Sequence, residues 1–319
     1  MLCMKTYNLQ PTTYNLQRRR LGFTLIELSI VLVIIGLITG GILVGNDLVA
    51  AAKIRSTVSQ IESYNTATRT FQLKYGGLPG DIAADLVTQY GFSVMPNRAG
   101  TGGQGDGNGF IQAYGYASNN YYAQQACCIS GETAWFWEDL SSNSGLISGN
   151  FNYAGAFDYP LGGVNEQTIP TIQDIIPRAK IKDSVYFNVY SLGGFNYFSL
   201  LAFGEGGSIG LNGGIRNNST ALSVNEAASI DKKLDDGLPQ TGNVIARYQQ
   251  WDLAGEGATT TGGLVWASGG MVEGTTDTSA APASAITCYD NGGAAGTQKY
   301  SVGTNGGKGL NCALSFKMQ

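Results

Sequence analysis

The chain has 319 residues, of which 43% are apolar and 13% charged, about half the usual ~25% charged share, with a net charge of −4. That balance excludes a basic nucleic-acid binder, and the absence of histidine excludes Ser-His-Asp triads, imidazole bases and imidazole metal sites. Glycine supplies 46 residues, about twice the usual ~7%, yet the apolar share can still build a core, so an ordered, loop-rich globule is expected.

In chain order, residues 1–22 hold Lys5, Arg18, Arg19 and Arg20 and the direct repeat Thr6-Tyr7-Asn8-Leu9-Gln10, Thr13-Tyr14-Asn15-Leu16-Gln17. Residues 23–44 are apolar apart from Thr24, Glu27, Ser29, Thr39 and glycines. As a helix this stretch would reach ~33 Å, matching the ~30 Å hydrocarbon layer of a bilayer. The arginines ahead of it place the amino terminus on the cytoplasmic side and the rest of the chain outside. Glu27 is costly there, on the order of 2.5 to 3.5 kcal/mol on insertion scales, so something must compensate it.

The string Arg20-Leu21-Gly22-Phe23-Thr24-Leu25-Ile26-Glu27-Leu28 resembles the processing motif of type IV prepilins and type II secretion pseudopilins. The resemblance implies that a prepilin peptidase cuts between Gly22 and Phe23 and methylates the new amine of Phe23. It also implies that Glu27 pairs with the terminal amine of a neighbouring subunit. At ~4 Å and an effective dielectric near 20 that attraction is about 4 kcal/mol, of the order of the insertion cost. The expected organisation is a leader over residues 1–22, a pilin helix over 23–75 with its transmembrane part at 23–44, and an extracytoplasmic head over 76–319. Removing the leader takes four basic residues and no acidic one, deepening the net charge from −4 to −8, so direct nucleic-acid binding is not expected.

Past the apolar run, Leu48, Ala51, Ile54, Val58, Ile61, Tyr64, Thr68, Phe71 and Tyr75 recur every three or four residues, which predicts one continued amphipathic helix. Gly76-Gly77-Leu78-Pro79-Gly80 supplies its stop. In the head, a helix capped by Ser130 is predicted through Leu140. A hairpin is predicted over Val185–Leu192 and Phe195–Phe203, joined by Gly193-Gly194. Ser223-Val224-Asn225-Glu226 is a capping box opening a helix to about Asp235, and residues 242–248 read as a further strand. The fold class is α+β: a long amino-terminal helix packed on a mainly antiparallel sheet with two short helices.

Four features invite a chemical reading. Gly206-Gly207-Ser208-Ile209-Gly210 has the spacing of a nucleophile elbow but no histidine to act as base, so it reads as a turn. In Gln104-Gly105-Asp106-Gly107-Asn108-Gly109, Asp106 and Asn108 fall where a calcium loop places oxygen ligands, and Glu132 is the remote acid that would complete the site. Calcium is therefore a candidate ligand, although no cofactor is required. Asp231, Asp235 and Asp236 crowd a helix carboxy terminus, where negative charge is unfavourable, and Lys232 and Lys233 are the expected neutralising cations. Once Cys3 leaves with the leader, Cys127, Cys128, Cys288 and Cys312 allow three pairings. Cys288 with Cys312 resembles the disulfide-bound loop of type IV pilins, and its 25-residue loop would be worth roughly 3 to 4 kcal/mol.

These readings converge on a structural filament subunit that starts as a single-pass protein of the inner membrane with a periplasmic head. Its partners would be the prepilin peptidase, sister pilin or pseudopilin subunits and an inner-membrane assembly platform. Catalysis is not expected. A pseudopilin of a type II secretion system is the alternative within the family. A membrane-anchored periplasmic ligand-binding protein or enzyme with the same leader is the alternative from another class.

Overall fold

The computed structural model describes residues 23–92, 105–112, 131–152, 172–203, 218–250, 263–266 and 282–319. The leader, with Gly22, and Ser130, Cys127, Cys128 and Gly206 to Gly210 lie outside the described residues. The chain divides into two compact units, Met1–Val49 and Ala50–Gln319.

Helix α1 runs over Leu25–Tyr75 without a break, and Gly76, at φ 78°, adopts the left-handed conformation that ends it. In the first unit its side chains are exposed, from Ile34 at 49% to Leu25 at 87%. In the second unit the buried stripe is Thr57, Ile61, Tyr64, Ala67, Thr68, Phe71 and Tyr75, with Ile54 and Val58 partly buried beside it. Leu48 and Ala51, which continue the same periodicity, are exposed. Periodicity shows which face is apolar but not how far the head extends along it.

Four shorter elements follow: α2 (Ala84–Tyr90), α3 (Glu132–Glu138), a π-helical turn over Asp139–Asn143 and a 3-10 turn over Ile172–Asp174. The residue at the amino-terminal cap of α3 is Gly131, at φ 59° and without a side-chain cap, so the cap expected from Ser130 is not the one this helix uses. Strands β1 (Val185–Leu192) and β2 (Phe195–Phe203) pair antiparallel from Val185 with Ala202 to Leu192 with Phe195. The two-residue turn has positive φ at Gly193 and Gly194, the conformation a type I′ hairpin turn requires.

Strand β3 (Asn218–Ser219) pairs with the end of β2, and α4 (Val224–Leu234) opens with the complete Ser223/Glu226 capping box. The stretch expected as one strand over 242–248 is instead two, β4 (Val244–Ile245) and β5 (Arg247–Gln250). They belong to different sheets: β5 pairs with β6 (Gly263–Trp266) in a separate ribbon. A second small ribbon joins β7 (Tyr289–Asp290) to β8 (Lys299–Tyr300), and β9 (Leu314–Lys317) enters the main sheet between β2 and β4. The main sheet is thus antiparallel in the order β1-β2-β9-β4, with β3 added on β2.

One face of this sheet packs on α1. Tyr64 meets Trp137 and Phe187 edge-on at ring-centroid distances of 5.0 and 5.1 Å, and Phe198 lies 6.1 Å away. Such pairs add roughly 0.5 to 1.5 kcal/mol each beyond the area they bury. Because side chains alternate along a strand, the same strands turn Tyr190, Tyr197 and Ile245 to the opposite face, where they form a second small cluster. The architecture is α+β.

Candidate functional site

The amino terminus of α1 is built by Thr24 and Glu27. The Thr24 backbone N–H and its hydroxyl both donate to Glu27 Oε2, each at 2.8 Å. The Glu27 N–H returns a bond to Thr24 Oγ1 at 3.3 Å. This is a capping box with Thr24 at the cap, written in the sequence as Thr-x-x-Glu. Both bonds land on one carboxylate oxygen, so Oε1 stays open to a cation from outside the chain. Phe23, directly ahead, is 81% exposed.

Between this box and Gly45 the helix's hydroxyls bond to its own backbone. The Ser29 hydroxyl donates to the Ile26 carbonyl at 2.8 Å and the Thr39 hydroxyl to the Ile35 carbonyl at 2.9 Å, as a lipid environment demands. A methyl group added at Gly36, Gly40, Gly41 or Gly45 would meet nothing within 4 Å, so packing among the described residues does not account for these glycines. The helix is long and apolar enough to cross a membrane, and none of its apolar window is buried.

A second constellation closes the loop at 105–112. Asp81, buried just after the stop of α1, accepts the Gly107 N–H on Oδ1 at 2.6 Å and the Gly109 N–H on Oδ2 at 2.7 Å. Buried Glu132 accepts the Gln112 N–H at 2.8 Å and, at 3.4 Å, the Asp106 N–H. Carboxylate oxygens of Asp81, Asp106 and Glu132 lie within 4.8 Å of one another. Asp106 and Glu132 of the expected calcium set therefore do come together, with Asp81 as the third acid. Asn108 turns its oxygen onto the Phe110 N–H at 2.7 Å. The approach is close: a methyl group at Gly105 would sit 2.3 Å from the Asp81 Cα, and one at Gly80 2.2 Å from the Glu132 carbonyl oxygen. Asp81 was missed because nothing local marks it; it is separated by 28 residues from the Gly109 amide it holds.

At the carboxy-terminal end of α4, Asp231, Asp235 and Asp236 gather within 4.8 Å. Their partners are not Lys232 and Lys233; among the described residues no ion pair joins those lysines to these acids. Asp231 accepts the Tyr300 hydroxyl at 2.7 Å and the Gly237 N–H at 3.0 Å. Asp235 takes the Asn243 and Val244 amides, and Asp236 the Leu238 N–H and the Thr241 hydroxyl. Chain folding back past the helix end presents N–H and hydroxyl donors that outcompete flexible, solvated ammonium groups. Burial pushes Asp231 up to about 7 even against the bonds from Tyr300 and Gly237, because removal from water disfavours the charged form. Tyr300 belongs to the segment closed by the Cys288–Cys312 disulfide, whose Cα atoms are 5.0 Å apart. Asn225 of α4 also donates to the Gly306 carbonyl there, at 2.6 Å. Gly306-Gly307-Lys308-Gly309 thus forms part of a helix-docking turn.

The sequence of the amino terminus has a counterpart among known protein families. Residues 17–43 match the family model described as the prokaryotic N-terminal methylation motif. The chain thus carries the amino-terminal signature of the type IV prepilin and pseudopilin proteins, and the match includes Gly22, Phe23, Thr24 and Glu27. It implies processing by a prepilin peptidase. No curated protein and no solved structure matches the chain.

Proposed function

We propose that this chain is a structural subunit of a type IV pilus or pilus-like filament, cut between Gly22 and Phe23, methylated at Phe23 and polymerised through α1. The observation that carries the reading is the methylation motif over residues 17–43 continued by an apolar helical stretch, none of which is buried among the described residues. Extracting that helix into water would expose apolar side chains worth ~1.5 to 3 kcal/mol each. Lipid before assembly, and sister helices after it, are the two environments that avoid this cost. Glu27 suits both states. In the membrane, the Thr24 box meets one oxygen; in the filament, the open Oε1 accepts the methylated amine of a neighbour's Phe23. Glycines without intrachain contacts let neighbouring helices approach closely. Before assembly the subunit sits in the inner membrane with its head in the periplasm, the orientation favoured by Arg18, Arg19 and Arg20.

The test is to purify sheared surface filaments from the native host and sequence the amino terminus of this chain by mass spectrometry. N-methyl-phenylalanine followed by Thr24, in filament fractions, is the expected result. A processed chain found only as isolated molecules in the membrane, with the assembly machinery present, would refute the reading. Filaments confined to the periplasm and required for protein export would instead assign the chain to a secretion pseudopilus.

A further inference from the structure

Within the second unit, the outward face of α1 carries a ladder of charges. Arg55, Glu62 and Arg69 are exposed and recur every seven residues, which is about two helical turns, or ~10.5 Å, along one face. Each stands two residues, about 200° round the helix, before a member of the buried stripe: Thr57, Tyr64 and Phe71. The exposed residues Ser59, Ser63 and Thr66 between the charges are small, so a second helix can approach closely along this line. Arg69 donates its Nε to the Gln319 carbonyl at 2.6 Å and remains exposed. Among the described residues the ion pairs are Arg178 with Asp183 and Lys182 with Glu226, and the charges of the ladder are paired neither with one another nor with the head.

Plus, minus, plus at one spacing is complementary to itself when parallel copies are offset by one repeat. We propose that this face of α1 docks on the same helix of a second copy offset by about seven residues, with Arg55–Glu62 and Glu62–Arg69 as the contacts that set the register. Each Glu62 then meets Arg55 of the copy raised by one repeat and Arg69 of the copy lowered by one. This docking rests on the filament proposed above. In a filament that carries its heads outside, the face of α1 opposite the head points to the axis, where the same face of successive copies converges. The offset also agrees in direction with the Glu27 contact. A neighbour whose Phe23 amine reaches Glu27 is raised by four residues, ~6 Å along a helix, and the remaining ~4.5 Å lies within the span of an arginine side chain. Copies without an offset would instead place like charges opposite one another at all three levels, which disfavours that packing. Exposed pairs add little strength singly. Repeated along paired helices they select register, as flanking charges do in coiled coils.

The experiment measures sheared filament per cleaved chain in the native host, since the substituted residues are exposed and lie outside the cleavage motif. Glu62→Arg should lower this yield by about tenfold or more, because it makes both contacts repulsive. Arg55→Glu should lower it by about threefold in the wild type, yet raise it by about threefold when added to Glu62→Arg, because there it restores one contact. Equal yields for the wild type and Glu62→Arg, or no gain from adding Arg55→Glu to Glu62→Arg, overturn the ladder and leave the filament standing. A wild type that yields no filaments overturns both. Should Glu62→Arg fail to accumulate as cleaved chain, Arg55→Lys filaments treated with a carbodiimide decide. Covalent dimers joined between residue 55 and Glu62 support the ladder, and the absence of that bond, whatever else is joined, refutes it.

Discussion

A carboxylate in this chain is defined by what donates to it. Glu27 takes the Thr24 N–H and hydroxyl at an exposed helix start with one oxygen open, whereas Asp81 is buried and holds the Gly107 and Gly109 amides of the loop at 105–112 with both its oxygens. Their substitutions should therefore fail differently. Glu27→Ala should insert and be processed normally yet form no filaments, as read from the ratio of cleaved chain to sheared filament. Asp81→Asn keeps the shape but replaces an acceptor oxygen with a donor facing an N–H. It should lower stability by about 2 to 3 kcal/mol in denaturant unfolding of the full chain.

Asp231 behaves differently again. Its pKa is raised from 3.8 to about 7, so between those values the folded chain keeps a proton that the unfolded chain has released. Stability is then fully present below pH ~4, falls as pH rises towards ~7 and levels off above that. The denaturation midpoint should be higher at about pH 5 than at about pH 8, and Asp231→Asn should flatten the difference. An equal slope in the variant would place the titration elsewhere.

Among the elements, those specified by neighbouring residues were legible in advance. The β1–β2 hairpin follows from alternating aromatic and branched residues around Gly193-Gly194, and α4 from its capping box. Strand β9 was not legible: its four residues pair with β2 and β4, and no local pattern indicates partners that far away. The division of residues 242–248 between two sheets escaped for the same reason. The apolar run Val244-Ile245-Ala246 carries no local sign that the chain changes sheets there. The disulfide belongs to this scale too. It closes a segment that docks on α4 through Tyr300 and Gly306, so Cys288→Ser with Cys312→Ser should cost roughly 3 to 4 kcal/mol. Because the Tyr300 bond depends on that docking, reduction should also weaken the pH dependence owed to Asp231.

For the whole molecule, the division at Val49 and Ala50 separates two kinds of surface. Large apolar side chains are exposed continuously along residues 23–49, while beyond them the exposed ones, such as Leu73, Phe195 and Ile286, are scattered. A chain beginning at Ala50 should accordingly stay soluble without detergent and run as a monomer in size-exclusion chromatography, whereas the chain beginning at Phe23 should require detergent. Aggregation of the shortened chain would show that the first unit also contributes to folding of the second.

The amino-terminal program was determined by the sequence alone, because a cleavage motif, an apolar length and a capping box are read within a few turns of one helix. The head was determined locally only in its hairpin and in α4. Tertiary structure decided which acids meet at Asp81 and Glu132 and which donors reach Asp231. These groups come from distant strands and loops, as with Tyr300 and Asp231, 69 residues apart. Local preferences act over a few residues, and only packing of the whole core brings such partners within hydrogen-bond range.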